Sequence, residues 1–326
     1  MTISLPATID PRHPLVTKQY AVYTPPIDRM ISQIGDWIDQ QVPGAYIYGA
    51  SRLGKSRGVK WFLTSVLEER FGTVVPLVIW VRRPDSQASE AAFWHQLLLA
   101  SNFMFAEAGK PPKRTAGFYL CVERFIAVAK NAGKNHVILM ADEAHGLTLR
   151  EWQWLTGLQN ALDHQGYLLS VFSIGTHQLG YQHEYLGSTG NAHVAARFMT
   201  AHARFHGLRS QEEVLYVLTG YDDDSEWPPC SGMSFLKYFA PVDFTLGHRL
   251  VTCTGMLWTA LGELSPVKQH RYRQYPMQSI ASVVEAALFR LARGEAWDSV
   301  TSYKSWLDAL SKVNFSDHMR LIAAVV

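Results

Sequence analysis

The chain has 326 residues, 48% of them hydrophobic and 18% charged, the balance of a soluble globular protein with a sizeable core. That length allows one large domain or a large domain with a smaller companion. A formal net charge of +2 excludes a global basic field, so any contact with nucleic acid has to come from local clusters of Lys and Arg.

Three cysteines (Cys121, Cys230 and Cys253) stand far apart without a CxxC pair, and thirteen histidines show no HExxH spacing. Reduced, buried thiols and no metal-ligand rhythm are expected. The start Met1-Thr2-Ile3-Ser4-Leu5-Pro6 carries no basic stretch followed by an apolar one, and no run of about eighteen apolar residues occurs. The expectation is a cytoplasmic protein with no membrane contact.

Residues 1–25 hold Pro6, Pro11, Pro14 and Pro25 with little periodicity, and read as an arm lying on the surface or on a neighbouring subunit. A short amphipathic helix over Ile27–Gln40 follows. Ala45-Tyr46-Ile47-Tyr48, bounded by Pro43-Gly44 and Gly49, reads as a buried strand. Helical spacing of Val59, Phe62, Leu63, Val66 and Leu67 predicts a helix over Lys55–Phe71. Thr73–Val81 is the second expected strand. Helices are expected over Ser86–Ala108 and Ala116–Ala132, joined by the basic connector Gly109-Lys110-Pro111-Pro112-Lys113-Arg114. Val137–Ala141, continuously apolar, suits a parallel sheet covered on both faces. A helix over Leu149–Asp163 leads to a fourth strand, Tyr167–Ile174. This alternation predicts an α/β doubly wound domain over 26–208. Beyond Leu208 it stops, and after the acidic insert Asp222–Pro229 the periodicity, clearest over Ser279–Arg293, predicts a smaller, mostly helical domain over 209–326.

Gly49-Ala50-Ser51-Arg52-Leu53-Gly54-Lys55-Ser56 fits GxxxxGK[ST], between a strand and a helix. Glycines let the backbone curl so that successive N–H groups, continuing to Arg57, surround phosphates, and the helix start adds partial positive charge. In this pattern Lys55 reaches the β- and γ-phosphates of ATP and the Ser56 hydroxyl binds Mg²⁺. The strand Val137–Ala141 ends in Asp142-Glu143. Asp142 is the expected second Mg²⁺ ligand, and Glu143 the base that takes a proton from, or orients, the attacking water. Asp142-Glu143-Ala144-His145 also spells a helicase box, but a helical tail cannot supply the second sheet domain that a helicase needs.

A polar side chain at the end of the fourth strand would lie between the acidic pair and the γ-phosphate: Thr176, with Ser173 as the alternate. An arginine just before the last strand of such a sheet can reach a nucleotide held by a neighbouring subunit and stabilise charge on the transferred phosphoryl group, and Arg197 and Arg204 are the candidates.

The combination resembles the AAA+ ATPases that regulate DNA transposition, the TnsC and TniB group, with the Mu B protein and IstB-like helpers more distant. The resemblance runs from about Tyr46 to Leu208. It rests on Gly49–Ser56, the strand Val74–Val81, Asp142-Glu143-Ala144, Gly175-Thr176, and the block Arg197-Phe198, Ala201–Phe205 and Gly207-Leu208. It implies an AAA+ fold with a C-terminal helical lid, ATP and Mg²⁺ as cofactors, and slow, regulatory ATP hydrolysis. It also implies ATP-dependent self-assembly into a ring or helical filament on double-stranded DNA. The partners it implies are a transposase and a target selector of TniQ or TnsD type. DNA-contacting loops in that group correspond here to Arg82 and Arg83 and to Lys110, Lys113, Arg114 and Thr115. A few cations per subunit become many in a filament. The lid sensor arginine common in AAA+ proteins has no clear counterpart near Ser279. Two other classes fit the same motifs: a scaffold that holds ATP with little hydrolysis, and a helicase-loader or signalling ATPase.

Overall fold

In the computed structural model, residue 6 and residues 9–83, 89–107, 109–267 and 273–324 are described. The chain divides into two compact units: Arg29–Ser51 with Lys55–Phe205, and Met1–Asp28 with Arg52–Gly54 and His206–Val326.

The first unit is built on five parallel strands: β1 (Gly44–Tyr48), β2 (Leu77–Val81), β3 (His136–Asp142), β4 (Leu168–Gly175) and β5 (Ala201–Arg204). Their spatial order is β2-β3-β4-β1-β5. The strand carrying the glycine-rich loop therefore lies between β4 and β5.

Both faces of the sheet are buried, which is why β3 has no polar residue between Val137 and Ala141. On one face Val137, Leu139, Ala141, Val171, Tyr46, Val78 and Trp80 join a core with Phe93, Trp94, Phe125, Trp152 and Phe198 from the flanking helices. On the other, Ile47, Ile138, Met140, Phe172 and Ile174 are equally buried, and the Trp37 ring lies 5.7 Å from that of Phe172. Alternation along each strand thus divides apolar residues between two cores rather than between core and water.

Several expected elements are trimmed or kinked. The second strand begins at Leu77 and not at Thr73, because Pro76 has no N–H for the ladder and only its carbonyl is used, accepting from Ile138 N at 2.8 Å. The helix expected over Lys55–Phe71 is two segments, Lys55–Trp61 and Leu63–Phe71. Phe62 leaves helical geometry (φ −126°), yet hydrogen bonds run through the kink from Phe62 N to Gly58 O and from Val66 N to Phe62 O. The helix expected over Ser86–Ala108 is confined to Glu90–Ala100, capped by Ser89, and residues 84–88 lie outside the described ones. The next helix starts earlier than expected, at Arg114, so Arg114 and Thr115 occupy its first turn and not the connector. Leu149–Asp163 forms as expected, fixed at its start by a capping box between Thr148 and Glu151.

The second unit is helical, with its longest helix over Met277–Ala292. The described residues of the N-terminal segment are part of it, packed into its core and not laid on the surface as expected. His13 and Leu15 are fully buried. The His13 ring sits among Trp227, Phe235, Tyr238 and Phe239, with centroids 4.6–5.0 Å away. Lys18 and Tyr20 both bond the Glu285 carboxylate, and the Tyr20 hydroxyl also meets that of Tyr221 at 2.8 Å. The acidic insert begins with a buried residue: the Asp222 carboxylate accepts from the N–H groups of Leu250 and Val251, both at 2.9 Å. Of the cysteines, Cys121 and Cys253 are buried, whereas Cys230 is exposed. Among the described residues no helix is long and apolar enough to cross a membrane.

Candidate nucleotide site

At the carboxyl edge of the sheet, the loop after β1 is clamped between its neighbours. Gly49 N donates to Gly175 O at 3.2 Å on one side, and Phe205 N donates to Tyr48 O at 2.8 Å on the other. A Cβ on Gly49 would stand 2.4 Å from the Phe205 carbonyl oxygen, so only glycine lets β5 pass this close. Gly54 has φ +121°, a left-handed backbone that a side chain would resist. Ser51 and Arg52 are exposed at the loop's turn, while Ala50 and Leu53 are buried. Arg57 points outward from the helix that follows.

Lys55 is 8% exposed and folds back over the loop, its Nζ donating to the carbonyls of Gly49 at 2.9 Å and Ala50 at 2.7 Å. Burial depresses its proton affinity to about 8, opposed by the negative charges of Asp142 and Glu143. The Ser56 hydroxyl hydrogen-bonds the Asp142 carboxylate, which also accepts from Glu143 N at 2.8 Å. Asp142 is buried, and burial raises its pKa above the usual carboxylate range despite those bonds. A buried carboxylate beside a hydroxyl at a strand end is the oxygen-donor set that suits Mg²⁺, which takes few protein ligands and completes its shell with phosphates and water. Among the described residues no group of three or more His, Cys, Asp or Glu is arranged to hold a metal by itself.

Glu143 adopts φ +57°, ψ +29°, a strained position for a residue with a side chain, which turns its half-exposed carboxylate away from the strand. Its Oε2 lies 3.6 Å from His145 Nδ1. Thr176, partly buried just past β4, is close to the loop through the Gly49–Gly175 bond, whereas Ser173 is buried within the strand, its hydroxyl without a partner.

The two arginines are at opposite ends of the sheet. Arg197 ends the helix Ala192–Phe198, beside the start of β1, and its Nη1 donates to Asn160 Oδ1 at 2.6 Å. Arg204 is paired in register with Tyr48, next to the subunit's own glycine-rich loop. His177, not singled out from sequence, is beside it: burial, Arg204 and Lys55 together lower its proton affinity. A histidine immediately after the expected sensor threonine was the available signal.

The expected DNA contacts divide. Arg82 is 9% exposed and forms a buried ion pair with Glu151, Nε to Oε1 at 3.3 Å, while its N–H donates to Asp142 O. It is therefore committed to the interior and is withdrawn as a DNA contact. Arg83 is exposed. Lys110 pairs with Glu107 and Arg114 with Glu90, both at 2.5 Å and both with largely exposed cations. Lys113 and Thr115 are exposed, as are Met104 and Phe105 after the helix Glu90–Ala100, 83% and 75% exposed.

No protein-family model matches the chain, and no curated protein matches it. Solved structures do align with it. The Aeropyrum pernix ORC1 protein in complex with DNA aligns at TM-score 0.54 and 11% identity, over 95% of this chain and 71% of that one. The Aeropyrum pernix ORC2 protein in ADPNP–ADP complexes aligns at 0.47 and 9% identity, over 96% and 97%. AMPPCP-bound DnaA from Aquifex aeolicus aligns at 0.35 and 10%, over 97% and 95%. The first likeness, with the strand order and the glycine-rich loop after β1, shows the AAA+ P-loop ATPase fold: a parallel sheet flanked by helices, followed by a helical C-terminal region.

Proposed function

We propose that this chain is an ATP-hydrolysing AAA+ ATPase that assembles on double-stranded DNA in its ATP-bound state. The observation that carries the reading is the convergence of Lys55, Ser56, Asp142, Glu143 and Thr176 at one edge of the sheet, from three separate strand ends.

The backbone N–H groups of Gly49–Arg57 cradle the phosphates, and Lys55 exchanges its bonds to the Gly49 and Ala50 carbonyls for phosphate oxygens. Ser56 and Asp142 would hold Mg²⁺, which would supply neutralisation of the phosphate charge there. Glu143 accepts a proton from the attacking water, or orients it, and Thr176 holds that water or the γ-phosphate in line. Arg197, at a sheet end remote from its own loop, is the candidate to act on a neighbour's nucleotide after exchanging Asn160 for phosphate. Lys113, Arg114, Thr115, Lys110 and Arg83 face DNA, each cation contributing to a salt-dependent contact repeated along the assembly.

The finer role, connecting a target selector of TniQ or TnsD type to a transposase, rests on the sequence resemblance to the TnsC and TniB group. A second reading, a helicase loader, is favoured by the fold shared with the ORC1 protein that was captured on DNA. Electron microscopy of the purified protein with duplex DNA, with and without a non-hydrolysable ATP analogue, tests the common core of both. Rings or filaments that require nucleotide are expected. Dispersed monomers under both conditions would overturn assembly. Co-purification with a transposase or with a replicative helicase then separates the two roles.

A further inference from the structure

We infer that Arg204 and His177 read the terminal phosphate of the subunit's own nucleotide, Arg204 acting in cis and not as a finger offered to a neighbour. This rests on the ATP-site reading above and assigns it two groups.

The placement follows from the sheet. β5 runs parallel to β1 with Arg204 opposite Tyr48, so the residue leaving β5 and the residue entering the glycine-rich loop are neighbours. Phe205, next in sequence, donates to the Tyr48 carbonyl, and its ring lies 5.9 Å beneath Lys55 Nζ. From the other side, the Gly49–Gly175 bond brings the end of β4, and with it His177, to the same loop. The Tyr48 ring meets the His177 imidazole edge-on at 5.5 Å and fixes its position between the two strands.

Three nitrogen-bearing side chains thus gather at one place, with Asp142 and Glu143 acting on Lys55. Arg204 Nε and both ring nitrogens of His177 are buried with no hydrogen-bond partner in the protein. Lys55 is satisfied only by carbonyls of its own loop. Buried donors left unpaired, next to a buried ammonium group, are costly in a folded protein unless a ligand completes them. The ligand that fits is an anion with several acceptor oxygens: a phosphoryl group beyond those the loop already cradles. Arg204 presents a charged donor to it and neutral His177 a ring N–H. On this assignment the pair meets the terminal phosphate of ATP, which ADP lacks, and so distinguishes the two nucleotides.

Equilibrium binding of fluorescent ATP and ADP analogues with Mg²⁺, on full-length protein dilute enough to remain unassembled, tests this. Arg204→Ala is expected to weaken ATP by about ten-fold or more while leaving ADP within about two-fold, the scale of one charge-assisted hydrogen bond. His177→Ala is expected to move the ATP-to-ADP ratio in the same direction by less. Should Arg204→Ala not fold, Arg204→Lys carries the same readout, with a partial loss expected. An unchanged ratio, or equal losses for both nucleotides, overturns the inference. Mixing Arg204→Ala with Lys55→Ala protein provides a second arm: recovered ATPase would mean that Arg204 acts across a subunit boundary and overturns cis action. Wild-type protein binding neither nucleotide would reject the ATP site itself, and this assignment with it.

Discussion

Glu143 illustrates how a single backbone angle prepares chemistry. A positive φ at a residue with a side chain costs on the order of 1 kcal/mol or more, and here it swings the carboxylate out of the strand while Asp142 stays buried behind it. Adjacent carboxylates are thereby separated into a buried and a half-exposed group, the division that the proposed metal-ligand and base roles require. Replacing Glu143 with Gln keeps shape and removes the base, so ATP binding is expected to persist while hydrolysis falls by roughly 10²-fold or more. A single-turnover assay would measure this, and an unchanged rate would remove Glu143 from the mechanism. His13 is a residue-scale case with a structural consequence. Full burial among aromatic rings pushes its pKa down from 6.5 to about 4. The unfolded chain therefore binds the extra proton more readily, and stability is expected to fall as pH drops from about 6.5 towards 4, by about 3 kcal/mol at the lower limit. Urea titrations across that range, with His13→Asn as control, should show the slope diminished in the variant.

At the scale of elements, the tip of β2 and the start of the helix Leu149–Asp163 are joined by one side chain. Glu151 closes the capping box with Thr148 and simultaneously receives Arg82. Arg82 in turn donates its N–H to the Asp142 carbonyl, which ties this lock to the end of β3. Arg82→Ala leaves a buried carboxylate without its partner and is expected to destabilise the fold by about 3 kcal/mol. The salt dependence of DNA binding should remain as in the wild type. Thermal melting and binding isotherms at several salt concentrations would check both, and a shallower salt slope would return Arg82 to the DNA surface. The same scale explains why the basic connector is read differently once folded. Pro111 and Pro112 precede Lys113, which stands at the N-cap position without a side-chain cap, so Arg114 and Thr115 are displayed from the first helical turn. Lys113→Ala is expected to reduce the salt slope of DNA binding by about one per subunit.

For the whole molecule, the separation of Arg197 from Arg204 matters most. A residue at the amino edge of the sheet cannot serve the loop at its carboxyl edge, so any action of Arg197 on a nucleotide would have to be on a neighbour's. Arg197→Ala is expected to leave ATP affinity of dilute protein unchanged and to lower assembly-stimulated hydrolysis by on the order of 10³-fold. Mixing it with Lys55→Ala protein should restore activity at mixed interfaces, and absence of recovery would count against a role in trans.

How much of this was legible in the sequence depends on the range of the forces involved. The glycine-rich loop, Asp142-Glu143, the apolar strands and the helix Leu149–Asp163 are dictated locally. Backbone freedom, continuous hydrophobicity and capping act over a few residues, so spacing alone exposed them, and the alternation of elements implied the parallel sheet. Only the tertiary structure decided where cations end up. Arg82 and Arg83 are equivalent as letters, yet one meets Glu151, sixty-nine positions away, and is drawn inside while the other stays exposed. Arg197 and Arg204 are similarly close in sequence, but the length of β5 carries them to opposite edges. The N-terminal prolines suggested an arm lying on the surface or on a neighbouring subunit, whereas His13 is enclosed by aromatic side chains more than two hundred residues further on. Charge pairing and ring packing between distant segments depend on the folded topology, which no local pattern encodes.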